Sequence, residues 1–308
     1  MTLSSRREAL QIIGGLGGLG VLTLIGCSSS NSTNAAAGTD DTSSTGDDDS
    51  TGTGDSSSNT SIGDSSFTDA GLDASGFAVG SGALIAATSY GDPFSSGAVG
   101  TTCAVYPTAT KGPCHSNTYL RKDVSDGLVG LPTRFEFLVV DADCNPVPDA
   151  IIEIWYASPN GAYSEAAQAI DDGSGYSGSH SDLNSSFCTG NQSEALASNW
   201  LRGFQKGDAN GRVTIDGIFP GWYSGRTAHV HFIITANGKT SVTSQLVFEK
   251  ALTTAVYTKH GSYSSRGDQD TPVATDGVVA GLDVDTLTFA YAQQSDGALV
   301  CWKQISIG

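Results

Sequence analysis

The chain has 308 residues, with 15 Lys and Arg against 32 Asp and Glu and a net charge of −17. No base occurs between Arg7 and Lys111, and residues 28–110 hold ten acids, so no basic stripe is available to neutralise phosphates and nucleic-acid binding is excluded. From Cys27 to Ser61 nothing more apolar than alanine follows the cysteine, which leaves roughly 200 residues from about Ser75 onward to bury a core.

Ser5-Arg6-Arg7 precedes an uncharged run from Ala9 to Gly26 that ends in Leu24-Ile25-Gly26-Cys27. Its 18 residues nearly suffice to span a bilayer, but six glycines and a small residue before the cysteine favour a cleaved signal over residues 1–26. Leu-Ile-Gly-Cys resembles the bacterial lipobox, which implies a lipidated Cys27 as the mature first residue. The paired arginines resemble a twin-arginine signal. The expectation is an exported lipoprotein of the bacterial cell envelope, facing the periplasm or exterior and touching the membrane only through its lipid. Residues 27–75 read as a Ser/Thr/Gly/Asp tether, too polar to collapse and able to reach roughly 35 Å, and residues 76–308 as the folded domain. An exported chain can keep disulfides, so Cys103, Cys114, Cys144, Cys188 and Cys301 fit two bridges and one thiol, in a pairing the sequence leaves open. No CxxC or Cys/His finger spacing suggests structural zinc.

From Arg134 onward apolar residues alternate with period two, punctuated by Gly, Pro, Asn and Asp. Strands are predicted over Phe135–Val140, Ala150–Tyr156, Arg212–Ile215, His229–Thr235 and Ser241–Glu249, with turns such as Asn210-Gly211 and Asn237-Gly238 between them. Short helical turns are expected within 193–201 and 251–256; neither could cover a sheet. Many short strands with frequent turns predict an all-β fold, an antiparallel β-sandwich with long loops and few short helices.

Of the histidines, His115, His180 and His260 stand in Gly/Ser-rich loops and read as solvated. His229-Val230-His231 differs: on a strand, residues i and i+2 face one side about 6.6 Å apart, so two imidazoles can converge on one ion. The companion ligands decide which ion. A facial iron(II) triad needs an acid at position 231, and no Asp or Glu occurs between Asp216 and Glu249. Tyrosine is available, because Gly221-Trp222-Tyr223-Ser224-Gly225-Arg226 leads directly into His229. Phenolates with imidazoles suit a ferric ion, whose charge deprotonates phenols of ordinary pKa near 10.

Ile218-Phe219-Pro220-Gly221-Trp222-Tyr223-Ser224-Gly225-Arg226-Thr227-Ala228-His229-Val230-His231 resembles the metal-site segment of the intradiol ring-cleavage dioxygenases. The segment from Glu153 to Ser164 is similar to the one that brings that family's other tyrosine ligand, here Tyr163. Leu201-Arg202-Gly203-Phe204-Gln205, Asp208-Ala209-Asn210-Gly211 and Thr243-Ser244-Gln245-Leu246 match as well, and the likeness covers about residues 100–295. The resemblance implies a transthyretin-like sandwich holding one Fe(III) per chain on Tyr163, Tyr223, His229 and His231. It further implies a small aromatic diol and O2 as substrates, Tyr223 displaced as the diol binds, and Arg226 with Gln245 stabilising charge on the ring. Trp155 and Trp222 read as packing.

Family members often carry Glu-Gly-Pro and two aromatics where this chain has Lys111-Gly112-Pro113-Cys114-His115, so the substrate pocket is altered. The interval from Tyr223 to His229 is short, as in exported relatives, and the long helical segment that builds dimers in some members has no counterpart. The competing expectation is a non-catalytic transthyretin-like binding module, which shares the Asp-x-x-Gly turn and the Pro-Gly-x-Tyr end but does not need Tyr163, Arg226 and His-x-His together. A metal-dependent hydrolase would want a carboxylate base beside the metal, which the local sequence lacks.

Overall fold

The structure is a computed structural model, and it describes residues 71–95, 103–116, 118–165 and 184–308. The expected signal, Cys27 as the expected lipidation site, the expected tether up to residue 70 and His180 lie outside the described residues. Chain contacts group Gly63–Gly308 into one compact unit. Among the described residues no helix is long and apolar enough to cross a membrane.

Eight strands run in the order β1 (Pro132–Val140), β2 (Ile151–Tyr156), β3 (Arg202–Lys206), β4 (Arg212–Ile218), β5 (His229–Ala236), β6 (Lys239–Val247), β7 (Ala290–Gln293) and β8 (Leu299–Ser306). They form two four-stranded sheets, β4-β1-β8-β7 and β3-β2-β5-β6, the expected all-β sandwich. The five predicted strands are present with ends shifted by up to three residues. Three strands were not read from the sequence: β3, carried by a matched motif, and the C-terminal pair β7 and β8. One pairing departs from the antiparallel expectation, because β8 lies parallel to β1, Phe135 opposite Cys301.

Period-two alternation gives the second sheet an inner face of Ile152, Ile154, Val230, Phe232, Ile234, Val242 and Leu246. These pack on Phe135, Phe137, Val213, Ile215 and Leu299 of the first sheet. The outer face holds a smaller cluster of Trp155, Tyr163, Ile233 and the Cys114–Cys188 pair. Helices are short: α1 (Ser185–Thr189), α2 (Ser193–Leu196), α3 (Lys250–Lys259) and α4 (Val284–Leu287). The turn expected at 251–256 is the middle of α3, which buries Leu252, Val256 and Tyr257. Disulfides join Cys103 to Cys144 and Cys114 to Cys188, leaving Cys301 as a buried thiol.

Candidate metal centre

Cross-strand register builds the floor of the site. Trp155 on β2 stands opposite Arg202 on β3 and His231 on β5, and His231 stands opposite Gln245 on β6. Directly opposed residues share a face, so Arg202, Trp155, His231 and Gln245 form one row on the outer surface of the sheet. Trp155 stacks on the His231 ring at 4.9 Å with 6° between planes, and the imidazole has an aromatic wall.

The two tyrosines arrive on loops that can meet only because two positions lack a side chain. After β2 the chain turns at Pro159-Asn160-Gly161, closed by Gly161 N–H donating to Ser158 O at 2.7 Å. Gly161 has φ +80°, and its missing Cβ leaves room for the Trp222 carbonyl. A Cβ on Gly221 would overlap the Ser158 carbonyl in the same way. The turn therefore packs against the 220–222 segment, and Tyr163 and Tyr223 approach with ring centroids 5.9 Å apart. Fully buried Arg202 fastens the Tyr163 loop: its Nε donates to Ser164 O at 3.0 Å and its Nη1 to Cys114 O at 2.7 Å.

Four polar atoms then crowd one point. His229 Nε2 lies 3.1 Å from His231 Nε2, 3.2 Å from Tyr163 Oη and 3.5 Å from Tyr223 Oη. His229 Nδ1 is 2.6 Å from the Thr227 carbonyl, which can only accept, so the proton sits on Nδ1 and Nε2 presents its lone pair to the cluster. Burial, helped by the nearby Arg226 charge, pushes His229 down to about 3. Burial and then the His229 neighbour hold His231 well below the ordinary imidazole value. Burial raises both Tyr163 and Tyr223. All four groups are thus neutral without a cation, and their lone pairs and weakly acidic hydroxyls form a donor set that a hard, highly charged ion fits. Among the described residues no group of three or more His, Cys, Asp or Glu is placed to hold a metal.

Beside this point, Gly161, Tyr163, Phe187, Cys188, Tyr223 and Ser224 line a cavity of about 220 Å³. A larger groove of about 1070 Å³, bordered by Tyr106, Phe248, Trp302 and Lys303, holds none of the four converging residues. The Lys111–His115 loop walls the other side: a Cβ on Gly112 would come within 3.3 Å of His231 Cε1. Arg226 reaches Tyr223 Oη through Nη1 at 3.4 Å and Gln245 Oε1 through Nη2 at 2.5 Å. The six residues expected as metal ligands or catalytic groups therefore gather here: Tyr163, Tyr223, Arg226, His229, His231 and Gln245.

Two expectations are corrected. His115 and His260 are buried, not solvated. His115 Nε2 sits 2.7 Å from the carboxylate of fully buried Glu153, with its ring edge-on to Trp155. His260 Nε2 sits 3.0 Å from Ala78 O. Their Gly/Ser-rich neighbours suggested solvent, but burial is conferred by partners far away in the chain. Sequence reasoning also missed Asp276, which holds Arg226 from 50 positions away, and the part played by Arg202. The one available signal was negative: a half-buried Arg226 with no local acid needs a distant carboxylate.

A family profile described as dioxygenase matches residues 105–260, half of the chain. Among solved structures the chain is similar to an intradiol ring-cleavage dioxygenase from Tetranychus urticae, at 22% identity and TM-score 0.54, over 67% of this chain and 95% of that one. A dioxygenase domain from Streptomyces sp. SirexAA-E matches at 20% identity and TM-score 0.44, over 66% and 97%. Catechol 1,2-dioxygenase from Pseudomonas arvilla C-1 matches at 18% and 0.42, over 66% and 62%. No curated protein matches significantly.

Proposed function

The chain belongs to the intradiol ring-cleavage dioxygenase family, and from that premise we propose that it opens a catechol-type ring between its two hydroxylated carbons, using O2 and one ferric ion per chain. The product of such a cleavage is a muconate-type diacid containing both oxygen atoms, and no external reductant is needed. The observation that carries this reading is the convergence of two phenolic oxygens on two imidazole nitrogens beside a ring-sized cavity.

Tyr163, Tyr223, His229 and His231 would hold the ion. Bound iron supplies the Lewis acidity that deprotonates the phenols and the diol and the electron exchange that lets O2 react with the ring. The protein does the rest. His229 is kept as the Nε2-ligating tautomer by Thr227 O, and Trp155 restrains His231. Tyr223, half-buried and bordering the cavity, is placed to give way to a diol: as the phenolate that a bound ferric ion would leave, its Oη would take a proton from the incoming hydroxyl, with Arg226 Nη1 donating to it. The Arg226 guanidinium, permanently charged and planar, lowers the energy of negative charge spreading onto the ring, and Gln245 fixes one of its nitrogens. Phe187 and Cys188 on α1 line one side of the cavity.

The test is colour and turnover. Iron-loaded protein should absorb visible light through tyrosinate-to-iron charge transfer, Tyr163→Phe and Tyr223→Phe should each shift or bleach that band, and oxygen uptake with a panel of catechols should yield a diacid. A colourless preparation containing one iron per chain would sink the reading. The run from Arg6 to Cys27 supports export and lipid anchoring of this enzyme, which mass analysis of the mature N-terminus would test.

A further inference from the structure

Arg226 is gripped at two of its three nitrogens. Its Nε donates to both oxygens of Asp276, at 3.1 and 2.9 Å, and its Nη2 donates to Gln245, whose own Nε2 donates to Thr110 O at 2.9 Å. Asp276 is itself immobilised: fully buried, its Oδ2 accepts from Thr227 N–H at 2.8 Å, and its Oδ1 accepts from Val278 and Val279 N–H at 2.9 and 3.3 Å. A guanidinium is planar, so two anchored nitrogens set the direction of the third. Here the third, Nη1, points at Tyr223 Oη.

We propose that Asp276 is a positioning residue: it holds the Arg226 guanidinium in the plane that aims Nη1 at the Tyr223 phenol oxygen, and it ties that aim to the backbone two residues ahead of His229. The geometry stands on its own, and its consequence for turnover rests on the dioxygenase reading above. The same loop carries an internal comparison. Gln269 Oε1 accepts from Ala228 N–H at 3.0 Å and its Nε2 donates to Thr227 Oγ1 at 3.1 Å, so Gln269 clips the same lead-in to β5 without forming a hydrogen bond to Arg226. A merely structural role for Asp276 predicts that losing either clip looks alike.

The experiment compares Asp276→Asn with Gln269→Ala by two readouts. In metal-free, 15N-labelled protein, the Arg226 Nε–H should exchange slowly in the parent and in Gln269→Ala, and roughly tenfold or more faster in Asp276→Asn. In iron-loaded protein, Asp276→Asn should lower kcat about 10- to 100-fold with KM within about threefold, while Gln269→Ala lowers the melting temperature but leaves kcat within about threefold. If Asp276→Asn fails to fold, Asp276→Ser replaces it. Unchanged Nε–H exchange in the Asp276 variant overturns the proposal, as does equal loss of kcat and of protection in Gln269→Ala. If the parent cleaves no catechol, the dioxygenase reading fails, and the exchange measurement alone decides the role of Asp276.

Discussion

On the first sheet Arg134 faces Asp216 across β1 and β4, whereas at the entrance to β5 on the second sheet Arg226 meets Asp276 from a distant loop. The chemistry of the two pairs is alike and their surroundings are not. Arg134 is buried with every nitrogen engaged: Nε and Nη2 on Asp216 at 2.6 and 3.1 Å, Nη2 also on Ile85 O and Nη1 on Thr88 O, each at 2.7 Å. Arg226 is only partly buried, and its Nη1 has a single long contact, with a phenol that borders the cavity. A fully satisfied arginine is an anchor; one with an underused donor aimed at a cavity can answer charge that appears there.

Substitutions can break this contrast. The largest effect belongs to the cluster that Arg226 serves: His231→Ala or Tyr163→Phe should cost more activity than the roughly 10- to 100-fold typical of residues that only support a metal ligand, checked by iron content and turnover. Asp216→Ala strands the Arg134 charge and should destabilise the domain by about 3–5 kcal/mol in denaturant melts while the folded fraction keeps its kcat. Arg226→Lys should invert that pattern, lowering kcat about 100-fold for about 1 kcal/mol or less of stability, because an ammonium cannot hold Asp276, Gln245 and Tyr223 at once.

Acid probes the Arg226 pair directly. Burial pushes the Asp276 carboxyl upward, but N–H groups of Thr227 and Val278 and the Arg226 charge outweigh it and leave it below the ordinary 3.8. Its folded value is depressed, so its contribution is fully present above pH 3.8, the unfolded reference, and is lost as pH falls through the lower folded value. Acid melts should show an extra loss of stability in the parent that Asp276→Asn lacks. The smallest effect is expected at Cys301 in the first sheet, where burial raises the thiol well above its usual range: thiol reagents should leave it unlabelled until the protein unfolds, with no change in native activity.

Local pattern made much of the second sheet legible. Period two put His229 and His231 on one face, and Tyr223 with Arg226 lay a few residues ahead, so four of the six site residues could be read from one stretch of chain. Tyr163 came from resemblance to a motif, because no spacing rule links it to His229, 66 residues away. The first sheet was less legible: β8 slots beside β1 in parallel across the whole length of the domain, and nothing local to Leu299–Ser306 signals that neighbour. His115 was misread for a related reason, since a Gly-rich context says nothing of Glu153 waiting on β2.

By itself the sequence determined five of the eight strand-forming segments, the acidic composition ahead of the domain and the side chains expected to converge, because alternation, turn residues and side-chain type act within a few residues of themselves. Only the tertiary structure decided that Cys114 pairs with Cys188, that Arg202 locks the Tyr163 loop and that Asp276 is the carboxylate Arg226 finds. Those contacts join positions 38 to 74 apart, and which distant groups meet depends on how the sheets pack, a property of the whole chain that no short window contains.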